Sequence, residues 1–328
     1  MISYRPPKWL PGGHAQTIYP LLIKPEPLPY RRQRQETPDG DFIDLDWIDC
    51  PDDSSPLLIL FHGLEGSSNS HYAIALMRAL SAIGWGGVVV HFRGCSGESN
   101  RLPRAYHSGD SAEIDWILRQ IAQDFPSRVR YAVGVSLGGN ALLKWLGECE
   151  PQAANCIRAA AAISAPLDLT ACGHHLGRGF NRVYSRHFLQ SLKHNAAAKL
   201  QRFPGLFDER RMRLASSLYQ FDDAVTAPLH GFAGADDYWR RASSKPWLRA
   251  IRLPTLVLNA QNDPFLPASA LPTPEQVSAS VKLDFPQQGG HVVAKGVFVA
   301  PRMDDIALRQ TEVSHAGDDA LGVFPCGR

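Results

Sequence analysis

Ser136 stands at the centre of Gly134-Val135-Ser136-Leu137-Gly138. A serine hydroxyl is a weak nucleophile at neutral pH, so it attacks a carbonyl only when a base takes its proton and a carboxylate holds that base in the right tautomer. The glycines on either side let the chain turn sharply and lift the hydroxyl clear of its surroundings. By itself the pattern carries little weight in a chain with 27 glycines. Its flanks decide: Arg130-Tyr131-Ala132-Val133-Gly134 reads as a buried strand and residues 139–147 read as a helix, the strand–turn–helix setting of a nucleophile elbow. A helix-capping serine in a glycine-rich turn is the rival reading, and that setting disfavours it.

Where a serine is presented in this way, the acid and then the base follow it in the chain. Asp263 lies in Gln261-Asn262-Asp263-Pro264, just after a strand-like run at 255–260, and His291 lies in Gly289-Gly290-His291, after the last such run at 281–285. The second is expected on a flexible loop that can reach across to Ser136. Each has a plainer reading, Asp263 as a turn-former before proline and Gly-Gly-His as a loop, but their order and their placement after strands argue for a Ser136, Asp263, His291 triad. Asp236, Asp237 and Asp284 are poorer acids, two lying in an irregular segment and one inside a strand. Acyl transfer also needs N–H donors for an oxyanion, each worth about 3 kcal/mol in a known serine hydrolase. The backbone N–H groups of Leu137, directly after the serine, and of Leu64, in the loop His62-Gly63-Leu64-Glu65-Gly66, are the candidates. His62 precedes Ser136, against the order expected of the base, and a loop-organising hydrogen bond is its expected role.

These residues need elements to position them. Residues 30–49 read as two strands around Pro38-Asp39-Gly40, an antiparallel entry hairpin. Its basic run Arg31-Arg32-Gln33-Arg34 suits the solvated face of an edge strand better than a nucleic-acid patch, since no aromatic residues interleave it. A buried strand at 57–61, a helix at 72–83 and a buried strand at 87–92 imply parallel pairing. Asp110 caps a helix with Glu113 three residues on and Ile114, Ile117, Leu118, Ile121 and Phe125 along one face. Another strand is expected at 159–164. From 166 to 253 the alternation stops, and Arg-rich, helical sequence with breakers takes over. The expected architecture is therefore α/β: a mostly parallel central sheet flanked by helices, with a core of 1–165 and 254–328 and a cap insertion at 166–253. The core would carry an N-terminal extension at 1–29 and an atypical tail at 292–328. The cap would emerge at the C-terminal edge of the strands, where open α/β sheets bind ligands.

Composition narrows the rest. With 328 residues, 44% of them hydrophobic, the chain can bury a large core, and 34 Lys and Arg against 32 Asp and Glu give no field that favours nucleic acid or an anionic membrane. No apolar run approaches membrane-spanning length, and the first eight residues suggest neither signal peptide nor anchor. Six cysteines without a Cys-x-x-Cys pair suggest reduced thiols and a cytoplasmic protein. His174 and His175 are adjacent, and His187 and His194 are seven apart, so neither pair has the helical spacing of metal ligands; no metal or organic cofactor is expected. Oligomeric state stays open.

Taken together, His62-Gly63-Leu64-Glu65-Gly66, His91-Phe92-Arg93-Gly94-Cys95-Ser96-Gly97, Tyr106-His107-Ser108-Gly109 and Gly134-Val135-Ser136-Leu137-Gly138-Gly139-Asn140 resemble the YheT-like hydrolases, the AB hydrolase 4 family. The likeness runs from Pro11-Gly12-Gly13-His14-Ala15-Gln16-Thr17 through Phe221-Asp222-Asp223 and Thr226-Ala227-Pro228 to His291. It implies an α/β-hydrolase fold and a carboxylesterase-like activity on a small-molecule or lipid ester, of short-chain carboxylesterase or acylglycerol-lipase type. It also carries the triad onto Ser136, Asp263 and His291. Eukaryotic relatives include membrane-anchored lipid hydrolases, and no such anchor is seen here. One departure stands out: family members continue past the histidine with Gly-Phe and a closing amphipathic helix, whereas Val292-Val293-Ala294 leads into a tail without an apolar face after Pro301. A shifted reading frame or a divergent extension would account for it, and a tail that does not pack would leave His291 poorly held. Two other readings keep the fold: an idle binding protein, or an acyltransferase or thioesterase using the same triad.

Overall fold

Short β-branched apolar runs with no polar face suit strands covered on both sides, and they set the frame of the computed structural model, which describes residues 6–292 apart from 24, 51 and 53. The strands are β1 (Arg31–Glu36), β2 (Phe42–Ile48), β3 (Leu57–Phe61), β4 (Gly86–Val90), β5 (Arg130–Val135), β6 (Ala159–Ile163), β7 (Thr255–Leu258) and β8 (Val281–Asp284). They form one sheet in the order β1-β2-β4-β3-β5-β6-β7-β8. The entry hairpin β1–β2 is antiparallel and joins β4 antiparallel, and every pairing from β4 to β8 is parallel. This is the mostly parallel α/β sheet expected.

Flanking it are α1 (Gly12–Leu22), α2 (His71–Ala82), α3 (Ser111–Asp124), α4 (Leu137–Glu148) and the short α5 (Ala153–Cys156). Because side chains alternate along a strand, Leu57, Ile59 and Phe61 of β3 pack with the apolar stripes of α3 and α4, while Leu58 and Leu60 pack with Ala73, Met77 and Leu80 of α2 on the other face. Asp110 accepts the Glu113 N–H at 3.4 Å and so caps α3. The Glu113 carboxylate does not close a capping box; it takes the Arg93 guanidinium at 2.5 Å instead.

The basic run on β1 does lie on an edge strand, but it is paired as well as solvated. Arg31, Arg32 and Arg34 each form an ion pair with an acid of the neighbouring strand or its end, Asp49, Asp46 and Asp44 respectively. Several strands end short of the expected bounds at the edge where the site lies. β4 stops at Val90, and the Phe92 N–H beyond it donates to His62 Nε2 at 3.1 Å rather than to a neighbouring strand.

Between β6 and β7 run α6 (Leu169–Leu176), α7 (Arg182–Arg202), α8 (Glu209–Leu214), α9 (Leu218–Phe221), a π-helical turn at Asp222–Thr226, α10 (Ala227–Leu229) and α11 (Ala235–Ala242). These helices share an apolar cluster of their own around Leu189, Met212, Phe221 and Val225. They are fastened to the sheet by the fully buried Asn140 of α4, whose amide donates to the carbonyls of Ser108 and Ala242 and accepts the Ser244 N–H. Tyr238 adds a bond by accepting the Ser108 N–H at 2.9 Å.

The N-terminal segment holds a helix that the sequence reading treated as mere extension. Gly12-Gly13 and Pro20 give α1 poor helix propensity, and its packing against the rest of the chain supplies what propensity lacks. The tail beyond residue 292, with both accounts offered for it, lies outside the described residues. Among the described residues no helix is long and apolar enough to cross a membrane.

Candidate active site

Ser136 sits between the end of β5 and the first residue of α4, with φ 53° and ψ −120°. A non-glycine residue held at positive φ stores on the order of 1–3 kcal/mol of strain, so the surroundings must fix it. The Ser136 N–H donates to the Ile163 carbonyl at 2.8 Å, and the Ser136 carbonyl accepts from Gly139 at 2.9 Å. Glycine is required on both sides by close approach: a Cβ at Gly134 would lie 2.5 Å from the Gly138 carbonyl oxygen, and one at Gly138 would lie 2.5 Å from that of His62.

The three residues expected to act together do meet. His291 Nε2 lies 3.1 Å from Ser136 Oγ, and His291 Nδ1 lies 2.8 Å from Asp263 Oδ2. With Nδ1–H donating to the carboxylate, Nε2 of the neutral ring faces the hydroxyl as an acceptor. Asp263 is 3% exposed and His291 9%, and the imidazole stacks on Phe265 at 4.0 Å between ring centres. Asp263 also fills the plainer role considered for it, since its Oδ1 accepts the Phe265 N–H at 2.8 Å in a turn of the aspartate type. The turn fixes the carboxylate and the carboxylate fixes the imidazole.

The loop carrying His291 is not a free arm. The N–H of Gly289 donates to Gln16 Oε1, that of Gly290 to Asn262 Oδ1, that of His291 to Thr17 Oγ1 and that of Val292 to Ser164 Oγ. Gln16 and Thr17, both buried on α1, are residues the local reading missed. No periodicity or spacing marks them; only the family-like run Gly12–Thr17 hinted that the segment mattered.

The loop after β3 abuts the serine: a Cβ at Gly63 would lie 3.1 Å from Ser136 Cβ. Its N–H groups are engaged at Gly63, which donates to Tyr72 Oη at 2.8 Å, at Glu65, which donates to Tyr106 Oη at 2.9 Å, and at Gly66, which donates to the Gly63 carbonyl at 3.0 Å. Among the described residues the N–H groups of Leu64 and Leu137 make no hydrogen bond, and both residues border the same cavity as Ser136. His62 is completely buried, with Nδ1 2.7 Å from the Gly63 carbonyl and Nε2 accepting from Phe92. Burial pushes its pKa down to about 3, so the neutral ring ties this loop to the end of β4.

The cavity, about 240 Å³, runs from Ser136 under α7 and is walled by Phe188, Leu192, Phe221, Val225 and Phe265. Burial shifts several titratable residues along it in the direction of their neutral forms, while Arg93, paired with Glu113 and Asp39, is held more firmly charged. Burial holds His107 and His230 at about 4, raises Asp222 to about 6, and moves Glu65 up and Lys199 down. Glu65 is nevertheless tied to both layers, accepting from Tyr106 Oη at 2.8 Å and from Asn195 of α7 at 2.6 Å. Of the acids set aside earlier, Asp236 accepts from Tyr219 Oη and Asp237 pairs with Arg240 and Arg241. No described group of three or more His, Cys, Asp or Glu residues is arranged to hold a metal ion.

A family model described as the alpha/beta hydrolase fold matches residues 56–295, and this chain belongs to that family. Within it the chain is a YheT-like member. It is 43% identical over 311 residues to "Putative esterase YheT" of Escherichia coli (strain K12), covering 92% of this chain and 90% of that one. It is 30% identical over 301 residues to "Phospholipase ABHD3" of Homo sapiens, covering 88% of this chain and 73% of that protein. Among solved structures, the alpha/beta hydrolase GrgF from Penicillium sp. sh18 matches with a TM-score of 0.57 at 14% identity, over 86% of this chain and 99% of that one. The Pyrococcus furiosus esterase Pf2001 matches with a TM-score of 0.55 at 17% identity, over 86% and 91%. At those identities the two structures speak for the fold alone.

Proposed function

We propose that this protein is a serine hydrolase of carboxylic esters, acting through an acyl-enzyme on Ser136, with Asp263 and His291 as the other members of the triad. The observation that carries the reading is the continuous hydrogen-bond chain Ser136–His291–Asp263. In the first half-reaction His291 Nε2 takes the hydroxyl proton as Ser136 Oγ attacks the ester carbonyl. The oxyanion is received by the N–H groups of Leu64 and Leu137, and His291 returns the proton to the departing alcohol. Water then repeats the sequence on the acyl-enzyme and releases the acid. No metal or organic cofactor enters these steps.

The apolar walls of the cavity suit an uncharged acyl chain, and hence a small-molecule or lipid ester of short-chain carboxylesterase or acylglycerol-lipase type. The names of the similar proteins, an esterase and a phospholipase, agree with this class. All five described cysteines are free, and a cytoplasmic location is part of the proposal. The test is hydrolysis of p-nitrophenyl butyrate together with labelling by a fluorophosphonate probe. Ser136→Ala should abolish both; wild-type turnover by that variant would overturn the reading, and a wild-type protein that neither labels nor turns over would mark an idle scaffold.

A further inference from the structure

We propose that Gln16 and Thr17, on α1, are positioning residues that hold the His291 imidazole at its working distance from Ser136. The proposal rests on the hydrolase reading above and adds to it the part of the chain that aligns the base.

Residues 289–292 lie in neither helix nor strand, so no regular ladder fixes the base. Each of their four N–H groups is instead taken by a side chain from elsewhere: Gln16 at 2.9 Å, Asn262 at 2.9 Å, Thr17 at 2.9 Å and Ser164 at 3.1 Å. Two of the four acceptors belong to consecutive residues of one helix. Gln16 is fully buried and uses both ends of its amide. Its Nε2 donates to the Leu10 carbonyl and to Gln288 Oε1, both at 3.1 Å, and its Oε1 accepts from Asn262 Nδ2 at 3.2 Å as well as from Gly289. Asn262 immediately precedes Asp263, so one side chain grips the loop of the acid and the loop of the base together. Thr17 donates its only hydroxyl hydrogen to the Gly13 carbonyl at 2.7 Å, which leaves its oxygen as a committed acceptor for the His291 N–H.

Glycines make this approach possible. Gly290 has φ 59°, and a Cβ there would lie 2.9 Å from both the Gly13 carbonyl oxygen and Thr17 Oγ1, while a Cβ at Gly13 would overlap the Asn262 carbonyl. The loop thus lies directly on α1 at the point where its N–H groups are received. A single hydrogen bond is a small part of a protein's stability, whereas proton transfer depends steeply on where the base sits. Loss of the Thr17 acceptor should therefore damage turnover out of proportion to folding.

The experiment compares Thr17→Val, Thr17→Ser, Gln16→Leu, Gly290→Ala and Ser136→Ala with wild type on p-nitrophenyl butyrate, recording kcat, KM, the rate of fluorophosphonate labelling and the melting temperature. Thr17→Val and Gln16→Leu are expected to lose about 10- to 100-fold in kcat and in labelling rate, with KM within about twofold of wild type. Thr17→Ser, which keeps the acceptor, should stay within about threefold of wild-type kcat. Gly290→Ala reaches the same end from the loop side and should reproduce the kcat loss, so it carries the test if Thr17→Val does not fold. Wild-type kcat in folded Thr17→Val or Gly290→Ala would overturn the proposal, and so would a Thr17→Ser variant as impaired as Thr17→Val. Activity surviving in Ser136→Ala is a separate result: it would bring down the hydrolase reading itself.

Discussion

The turn at Ser136 was legible because the chemistry proposed for it and the fold demand the same local pattern: a nucleophile must be exposed at a sharp turn, and a turn this sharp leaves glycines in the sequence. Asp263 was legible only in part, since a turn-forming aspartate and a triad aspartate look alike in one dimension, and here the residue both accepts the Phe265 N–H of the turn and faces His291 Nδ1. Replacing the carboxylate separates the two roles. Asp263→Asn can still accept the Phe265 N–H through its amide oxygen, so the turn should survive. Its amide group facing His291 Nδ1 would favour the wrong imidazole tautomer. Turnover is expected to fall by roughly 10³- to 10⁴-fold with little change in melting temperature; a loss of tenfold or less, measured on p-nitrophenyl butyrate, would remove Asp263 from the triad. The proposed oxyanion donors at Leu64 and Leu137 are backbone groups, so their side chains carry no sign of the role, and only their places after β3 and after the serine point to it.

Elements were legible in proportion to how far their own residues decide them. The buried strands and α3 announce themselves through continuous or periodic apolar residues. α1 does not, because two glycines and a proline weaken it and its stability comes from contacts far along the chain. The helical segment over the site was seen as a change of pattern, yet its internal arrangement was not. The π-helical turn at Asp222–Thr226 is an example, since a part-buried carboxylate at its start is bonded both within the turn and to α11. Asp222 accepts from Trp239 Nε1 at 2.8 Å and from Thr226 Oγ1 at 2.6 Å, and burial lifts its pKa from 3.8 to about 6. The folded state therefore binds this proton more tightly than the unfolded chain does. The associated stability is complete below about pH 4 and is lost as pH rises toward 6. Asp222→Asn, permanently neutral, should be more stable than wild type at pH 8 by on the order of 1 kcal/mol, a rise of about 2–4 °C in melting temperature. The difference should shrink toward zero near pH 4, and melting curves in which the variant is equal or weaker at pH 8 would contradict this account of the turn.

At the scale of the whole molecule, the parallel pairing of the strands and the emergence of the helical insertion at their C-terminal edge follow from alternating strands and helices, which a sequence displays openly, whereas the strand order β1-β2-β4-β3-β5-β6-β7-β8 does not. What a sequence hides is contact between its distant parts. The His291 N–H and Thr17 Oγ1 are 274 residues apart, and neither neighbourhood carries any local sign of the other. That separation also bears on the order in which the molecule comes together and comes apart. Contacts between distant parts of a chain carry the largest loop-closure cost, and this one holds a short loop rather than a strand of the central sheet. The sheet from β2 to β7 can form without it. On the proposed reading, the loop of His291 should then be the last component secured during folding and the first released when conditions turn adverse. In a urea titration, hydrolysis should fail at a lower concentration than tryptophan fluorescence reports for the core, and coincident transitions would contradict this. Hydrolytic power would then be confined to molecules whose two distant segments have already met, so an incompletely folded chain would display its serine without being able to use it.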